Sequence, residues 1–404
     1  MLQHAARALA SRSRGALRGA IALVPPGGRR ARANSGAATP GVDRSKWLVR
    51  VGLELHAQVK ADQKLFSHAK AQYGAEPNTQ VNPFDAALPG TLPALNRQCA
   101  VAAARTGLAL GGEVQHTSCF DRKHYYYADL PHGFQITQHQ QPLVLGGALE
   151  FEVAPASSDP YRCKVNLEQI QLEVDTGKST HATPDSAYTL VDLNRAGSAL
   201  MEIVTQPDMG TGAEAAAFVK ELQLLLRHIG TSDGNMEEGS LRVDVNVSVT
   251  QRRSSSVQGG RCEVKNLNSL RNVARAVEAE AARHISLLER GESVERETRG
   301  FDVETGRTFR LRSKETALDY RFLPEPDLPA LLFTDSEIQE LRASLQETPN
   351  AKVGQGKDWA SVRRCRHASV HNRAAAGHAP HGHVPDFQAG HNNSSIQPGP
   401  RKLL

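Results

Sequence analysis

Val51-Gly-Leu-Glu54-Leu-His56-Ala-Gln58-Val59 is the stretch on which the reading of this chain turns. At a period of two, Leu53, Leu55 and Ala57 share one face, while Glu54, His56 and Gln58 share the other. The pattern is that of a β-strand with one face in a core. A carboxylate and an imidazole two residues apart lie on the same face of a strand, within reach of one cation. The same triplet also suits a solvated strand face, so the rest of the chain has to decide.

Working outward, the device recurs. In Val165–Asp175 the apolar face carries Ile170, Leu172 and Val174, and the opposite face presents Gln169, Gln171, Glu173 and Asp175. Leu241–Val249 places five apolar residues on one face and Arg242, Asp244, Asn246 and Ser248 on the other. Glu263–Leu267 alternates over a shorter run. Strict alternation predicts antiparallel sheet with one polar face. Between these segments Thr211-x-x-Glu214 reads as a capping box opening a helix that runs to Ile229 and stops at Gly230. A second helix is expected from about Leu270 to Leu288, with Gly291 beyond it. Elements in this order predict an α+β domain, not a doubly wound sheet.

Glu202, in Ala199-Leu-Met-Glu-Ile-Val204, has apolar neighbours on both faces. An ionised carboxylate buried without a partner costs several kcal/mol, roughly, so it must be paired, protonated or metal-bound. A base such as Arg195 would serve, and so would a cation. Three acid-bearing strands together with His56 favour the cation. Gly177-Lys-Ser179 fails as a P-loop, because the required first glycine falls at Leu172. Lys178 and Lys265 could touch phosphate, but solvated lysine is the default reading of both.

Charge divides the 404 residues into three. Residues 1–42 hold seven arginines and no acid, the composition of a mitochondrial transit peptide. Residues 353–404 hold seven Lys and Arg against two acids, with six of the sixteen histidines among Gly, Ala, Pro and Ser. That tail reads as disordered. The chain's formal charge of +5 therefore belongs to its ends, and residues 43–352 are net acidic, about −7. An acidic body suits divalent cations better than unaided phosphate binding. No apolar run reaches the roughly 18 residues of a membrane span. Five scattered cysteines without a C-x-x-C pair argue against a zinc knuckle and against secretion.

Further motifs carry a family resemblance: Glu76-Pro-Asn-Thr79, Phe120-Asp-Arg-Lys123, Asp129-Leu-Pro131, Gln135-Ile-Thr-Gln138, Asp192-Leu-Asn-Arg195, Pro207-Asp208, Glu263-Val-Lys-Asn-Leu-Asn-Ser269, Glu297-Thr-Arg299, Asp319-Tyr-Arg321 and Pro324-Glu-Pro-Asp327. Together with the strands above, over Val51 to about Lys352, they resemble GatB, the B subunit of the aspartyl/glutamyl-tRNA amidotransferase GatCAB, in its mitochondrial form. The resemblance implies an antiparallel-sheet cradle related to the glutamine synthetase catalytic fold, with flanking helices. It implies a carbon–nitrogen ligase in which ATP phosphorylates Glu on misacylated tRNA(Gln). Ammonia from the glutaminase subunit GatA then forms Gln-tRNA(Gln), and the small subunit GatC completes the heterotrimer. It implies Mg²⁺ held by Glu54, His56, Glu173 and Glu202, the residues the strand argument selects. Asp175, Asp192 and Arg195 then read as supporting residues with structural pairing as their main role. The second acid that many relatives carry beside Glu173 is Val174 here, which leaves Glu173 and Asp175 to suffice.

The expected division is a transit peptide over 1–42, a catalytic cradle over 43–330, the start of a helical linker over 331–352 and a low-complexity tail over 353–404. The family continues past Pro349-Asn-Ala-Lys352 into a helical, tRNA-gripping region, where this chain has its low-complexity tail. That departure keeps an alternative open: a catalytically incompetent truncated isoform, acting as an assembly partner or competitor.

Overall fold

The computed structural model describes residues 44–155, 159–181, 188–252, 260–313 and 320–345. The proposed leader and tail lie outside the described residues. The centre of the molecule is one large sheet, ten strands among the described residues. Its order runs Arg307–Ser313, Glu297–Asp302, Cys262–Leu267, Leu241–Gln251, Trp47–Gln58, Ala199–Thr205, Tyr161–Val174, Val144–Leu145, Glu113–Val114, with Ala148–Val153 also paired to Tyr161–Val174. Neighbours are antiparallel except Cys262–Leu267 beside Glu297–Asp302, which run parallel. The fold is thus mixed α+β with a mostly antiparallel sheet.

The first strand, Trp47–Gln58, sits mid-sheet because its odd positions are fully apolar. Val51, Leu53, Leu55 and Ala57 are no more than 1% exposed, and each large side chain so buried stabilises by roughly 1.5–3 kcal/mol. Register then sets the opposite face. Glu54 lies across from Asp244, and His56 lies between Arg242 and Glu202. A slip of one residue would exchange the faces, so burial of the odd positions fixes where the acids point.

Four helices complete the described fold: α1 (Arg97–Ala109), α2 (Gly212–Ile229), α3 (Leu270–Glu289) and α4 (Asp335–Ser344). α2 begins with the reciprocal Thr211–Glu214 capping box and ends on Gly230 in the left-handed region, φ 76°. α2 and α3 pack against each other, and α3 lies along Leu241–Gln251 and Cys262–Leu267. Their close approach depends on Gly212, where a Cβ would stand 2.2 Å from the Ala274 carbonyl oxygen. α1 supports Tyr161–Val174. A small three-stranded sheet, Leu323–Pro324, Asp121–His124 and Phe134–Thr137, packs beside Tyr161–Val174. No helix among the described residues is long and apolar enough to cross a membrane.

Candidate active site

Four strands deliver the polar face to one place. His56 Nε2 lies 3.8 Å from Glu54 Oε1 and 4.0 Å from Glu202 Oε2. Ligand atoms of His56, Glu173 and Glu202 all fall within 4.8 Å of one another, and so do those of Glu54, His56 and Asp244. The four residues selected from the sequence are therefore brought together, with His56 common to both groups. Asp244 joins them from Leu241–Gln251.

The acids are held by neighbours of distinct kinds. Gln171 Nε2 donates to Glu202 at 2.8 Å and to Thr137 Oγ1 at 3.2 Å. Lys123 Nζ donates to Glu173 at 3.3 Å. Burial and then the Glu173 and Glu54 carboxylates push the Glu202 pKa well up. Burial also raises Glu54, with Lys265 opposing. Burial pushes His56 down to about 3, more than Glu173 can offset, so its imidazole is neutral. For Lys123 burial alone would lower the pKa; Glu173 and Glu202 outweigh it and raise the ammonium's pKa. The small sheet locks this face from the side. Tyr125 donates to Gln135, whose amide donates to the Val174 carbonyl at 2.6 Å, and Gln138 accepts from the Leu172 amide at 3.0 Å.

Several sequence readings are changed by this geometry. Arg195 does not pair with Glu202; it sits 3.6 Å from Asp175 and donates to the Thr176 and Gly177 carbonyls. Asp175 itself pairs with Arg242, at 2.8 Å, and is absent from the groups of ligand atoms that gather around His56. Asp192 accepts from the Asn78 and Asn194 amides, a purely structural use. Lys178 is exposed, as expected. Lys265 is not a solvated lysine: its ammonium lies 2.7 Å from Asp244 and 3.0 Å from Glu263. Lys123, Lys265 and Glu263 are site residues that periodicity alone misses, although Lys123 and Lys265 both lie inside the quoted motifs.

Two cavities meet at the cluster. One, of about 410 Å³, is lined by Tyr125, Tyr127, Arg242 and Asp244 among others. The other, of about 700 Å³, is lined by Arg50, Arg261, Glu202 and a stacked His139–Phe322 pair with ring centroids 4.0 Å apart. Glu54, Lys123, Glu173, Lys265 and Tyr320 line both. These five side chains border both cavities. Oxygen-rich donors, cationic side chains and two adjoining cavities suit group transfer between two bound molecules.

Comparison with known proteins agrees with the motif reading. The family model described as the GatB/GatE catalytic domain matches residues 49–339. The chloroplastic/mitochondrial B subunit of the glutamyl-tRNA(Gln) amidotransferase of Ostreococcus tauri is 54% identical over 310 residues, covering 74% of this chain and 58% of that protein. The B-2 form from Micromonas commoda is 54% identical over 309 residues, 76% of this chain and 57% of its own. The B subunit of the aspartyl/glutamyl-tRNA(Asn/Gln) amidotransferase of Granulibacter bethesdensis is 50% identical over 306 residues, 76% of this chain and 62% of its own. The chain thus spans less than two thirds of the length of these curated relatives.

Proposed function

The chain belongs to the GatB/GatE catalytic-domain family, and from that membership and the site's charge balance we propose that it is the kinase and transamidase subunit of a mitochondrial Glu-tRNA(Gln) amidotransferase. Its partners on this reading are a glutaminase subunit that supplies ammonia, a small third subunit, and misacylated tRNA. The relatives' organellar names and the acid-free, arginine-rich residues 1–42 support the compartment. Kinship with the glutamine synthetase catalytic fold belongs to the same proposal, supported by an antiparallel sheet with acids on its polar face.

One observation carries the reading. Glu173, Asp175, Asp244 and Glu263 each have a Lys or Arg within 4 Å. Among the described residues Glu54 and Glu202 have none; both lie beside the neutral His56, and Glu202 accepts only the neutral Gln171 amide. Two uncompensated carboxylates and a free imidazole fit a small divalent cation. Glu54, His56, Glu173 and Glu202 would hold Mg²⁺, whose charge, once bound, would offset that of the phosphates.

The chain's own groups do the rest. Gln171 and Lys123 hold the Glu202 and Glu173 carboxylates in place before any ligand arrives, so no reorganisation is needed at the moment of transfer. The two cavities would take the nucleotide and the acyl acceptor, which meet at the side chains that border both. There an oxygen of the glutamyl side-chain carboxylate attacks the γ-phosphorus. The bond from phosphorus to the β,γ-bridging oxygen breaks and ADP leaves with that electron pair. Ammonia then attacks the acyl carbon, phosphate departs with the C–O electrons, and the nitrogen loses a proton to give the amide.

The test is reconstitution with the two partner subunits. Glu54→Ala or Glu202→Ala should abolish Glu-tRNA(Gln)-dependent ATP hydrolysis while glutaminase activity persists. Normal ATP turnover by Glu202→Ala would make that carboxylate structural and overturn the assignment.

A further inference from the structure

Lys265 stands on a bulge. The strand Cys262–Leu267 pairs with Leu241–Gln251 as Val264 to Val245, and then as Leu267 to Val243. Three residues on one strand thus oppose two on the other, and the extra residue falls between Val264 and Leu267. Asn266 absorbs it in the left-handed region, φ 62°, a conformation Asn tolerates better than most residues. The bulge is secured by the Asn266 amide, which donates to Asp244 Oδ1 at 3.0 Å. Val264 and Leu267 both remain buried although they are three apart. The inserted step returns Leu267 to the core and leaves Lys265 on the polar face beside Asp244, a recurrent place for bulges near active sites.

The ammonium that results is only partly used. Its three N–H groups find two carboxylates, Asp244 at 2.7 Å and Glu263 at 3.0 Å, and among the described residues no third acceptor. Its side chain keeps 30% exposure and lines both cavities. A phosphoryl group moving from a nucleotide in one cavity to a carboxylate in the other would pass the side chains common to both, Lys265 among them.

We propose that Lys265 is a phosphoryl-binding catalytic residue: its free N–H contacts a non-bridging oxygen of the transferring γ-phosphoryl, beside the Glu54–His56–Glu173–Glu202 cluster. Asp244 and Glu263 hold the ammonium in position and fill the place of a second divalent cation with a tethered charge. Lys265 keeps all its protons throughout. This inference rests on the kinase reading above.

The experiment measures equilibrium binding of ATP and of ADP to the full chain in Mg²⁺, for the wild type, Lys265→Met, Lys265→Arg and the double variant Lys265→Met/Asp244→Asn. A charge-assisted hydrogen bond to the γ-phosphoryl predicts that Lys265→Met loses between about tenfold and about a hundredfold in ATP affinity, with ADP affinity held within about twofold. Lys265→Arg should keep part of the ATP preference. The double variant restores the local charge balance, so it tests contact against mere neutralisation and should remain impaired for ATP. Recovery of ATP affinity in the double variant would overturn the proposal, as would equal losses for ATP and ADP, or no loss in Lys265→Met. A wild type that binds no ATP would overturn the kinase reading itself, and Lys265 with it.

Discussion

Beneath the sheet, on the side of α3, lies a buried ionic network whose removal gives the sharpest stability prediction. Glu280 is fully buried and accepts from Arg283 at 2.6 Å, His284 at 2.9 Å and Thr308 at 2.5 Å, with Arg299 3.3 Å away. Arg299 also bonds Glu297, so the network ties α3 to the last two strands of the sheet. Replacing Glu280 by Gln keeps the volume and removes the charge that Arg283 and Arg299 share, while Glu297 stays on Arg299. Breaking a buried pair costs about 3–5 kcal/mol. Arg299 is 9% exposed but keeps Glu297, and Arg283, at 26%, recovers part of the loss from water. The lower end, about 3 kcal/mol, is therefore expected. In a domain of this size that lowers Tm by roughly 5 °C.

The pH dependence follows from the same contacts. Burial pushes the Glu280 pKa up, but His284 and Arg283 overcome it and hold the carboxyl far below its ordinary range. A depressed carboxyl contributes its stability above the unfolded value, near 4.3, and loses it as pH falls through the folded value. Thermal scans of wild type and Glu280→Gln should differ by a constant amount between about pH 6 and pH 8 and converge in acid. A loss below about 1 kcal/mol at neutral pH would refute the reasoning, since it would mean the arginines are satisfied without Glu280.

Two other perturbations are as direct. Burial and the Glu173 and Glu54 carboxylates raise the Glu202 pKa, so the ionised side chain opposes folding as pH rises past its unfolded value; Glu202→Gln should raise Tm in chelator, yet lose the Mg²⁺-induced rise that wild type shows, about 2.7 kcal/mol at a hundredfold excess over Kd. A Tm unchanged in chelator would contradict the charge argument. Met1–Arg32 fused to a reporter should direct it to mitochondria, and replacing Arg7, Arg12, Arg14 and Arg18 by Gln should leave it cytosolic; unchanged import would place the signal elsewhere.

What could be read from the sequence is what depends on local periodicity. Glu54 and His56 fall on one face because Leu53 and Leu55 must fall on the other, and the ends of α2 are written in Thr211, Glu214 and Gly230. Glu202 stood out because its neighbours leave it nowhere to be solvated. What escaped depends on register between distant strands. Asp175 meets Arg242 across 67 positions of sequence, and Lys123 reaches Glu173 from a separate small sheet. Lys265 looked like any alternating surface lysine, since nothing in Glu263–Leu267 announces a bulge; the extra residue is defined only by pairing with Leu241–Gln251. α1 was also hidden: its run of alanines gives weak amphipathic contrast, and its clearest local sign is the Asn96 cap.

The polar face divides its acids by charge pairing, with Glu173, held by Lys123, the one cluster acid that is paired. Each acid whose role is structural has a guanidinium or ammonium within 4 Å: Asp175 with Arg242, Asp244 and Glu263 with Lys265. Glu54 and Glu202 stand without one among the described residues, although Arg242 is the cross-strand neighbour of His56, which lies between them. Arg242 could have neutralised either, but Asp175 draws its guanidinium away, and Arg195 is held from the same site by the Thr176 and Gly177 carbonyls. Asp175 thus serves the cluster without belonging to it, by keeping a competing cation out. On this argument Asp175→Asn frees Arg242 to fold toward His56 and Glu202, and should weaken divalent-cation binding more than Asp192→Asn, which disturbs only amide contacts. Mn²⁺ titration of the two variants measures the difference. Equal affinities would show that Arg242 cannot reach the cluster, and that the two bare carboxylates owe their state to burial alone.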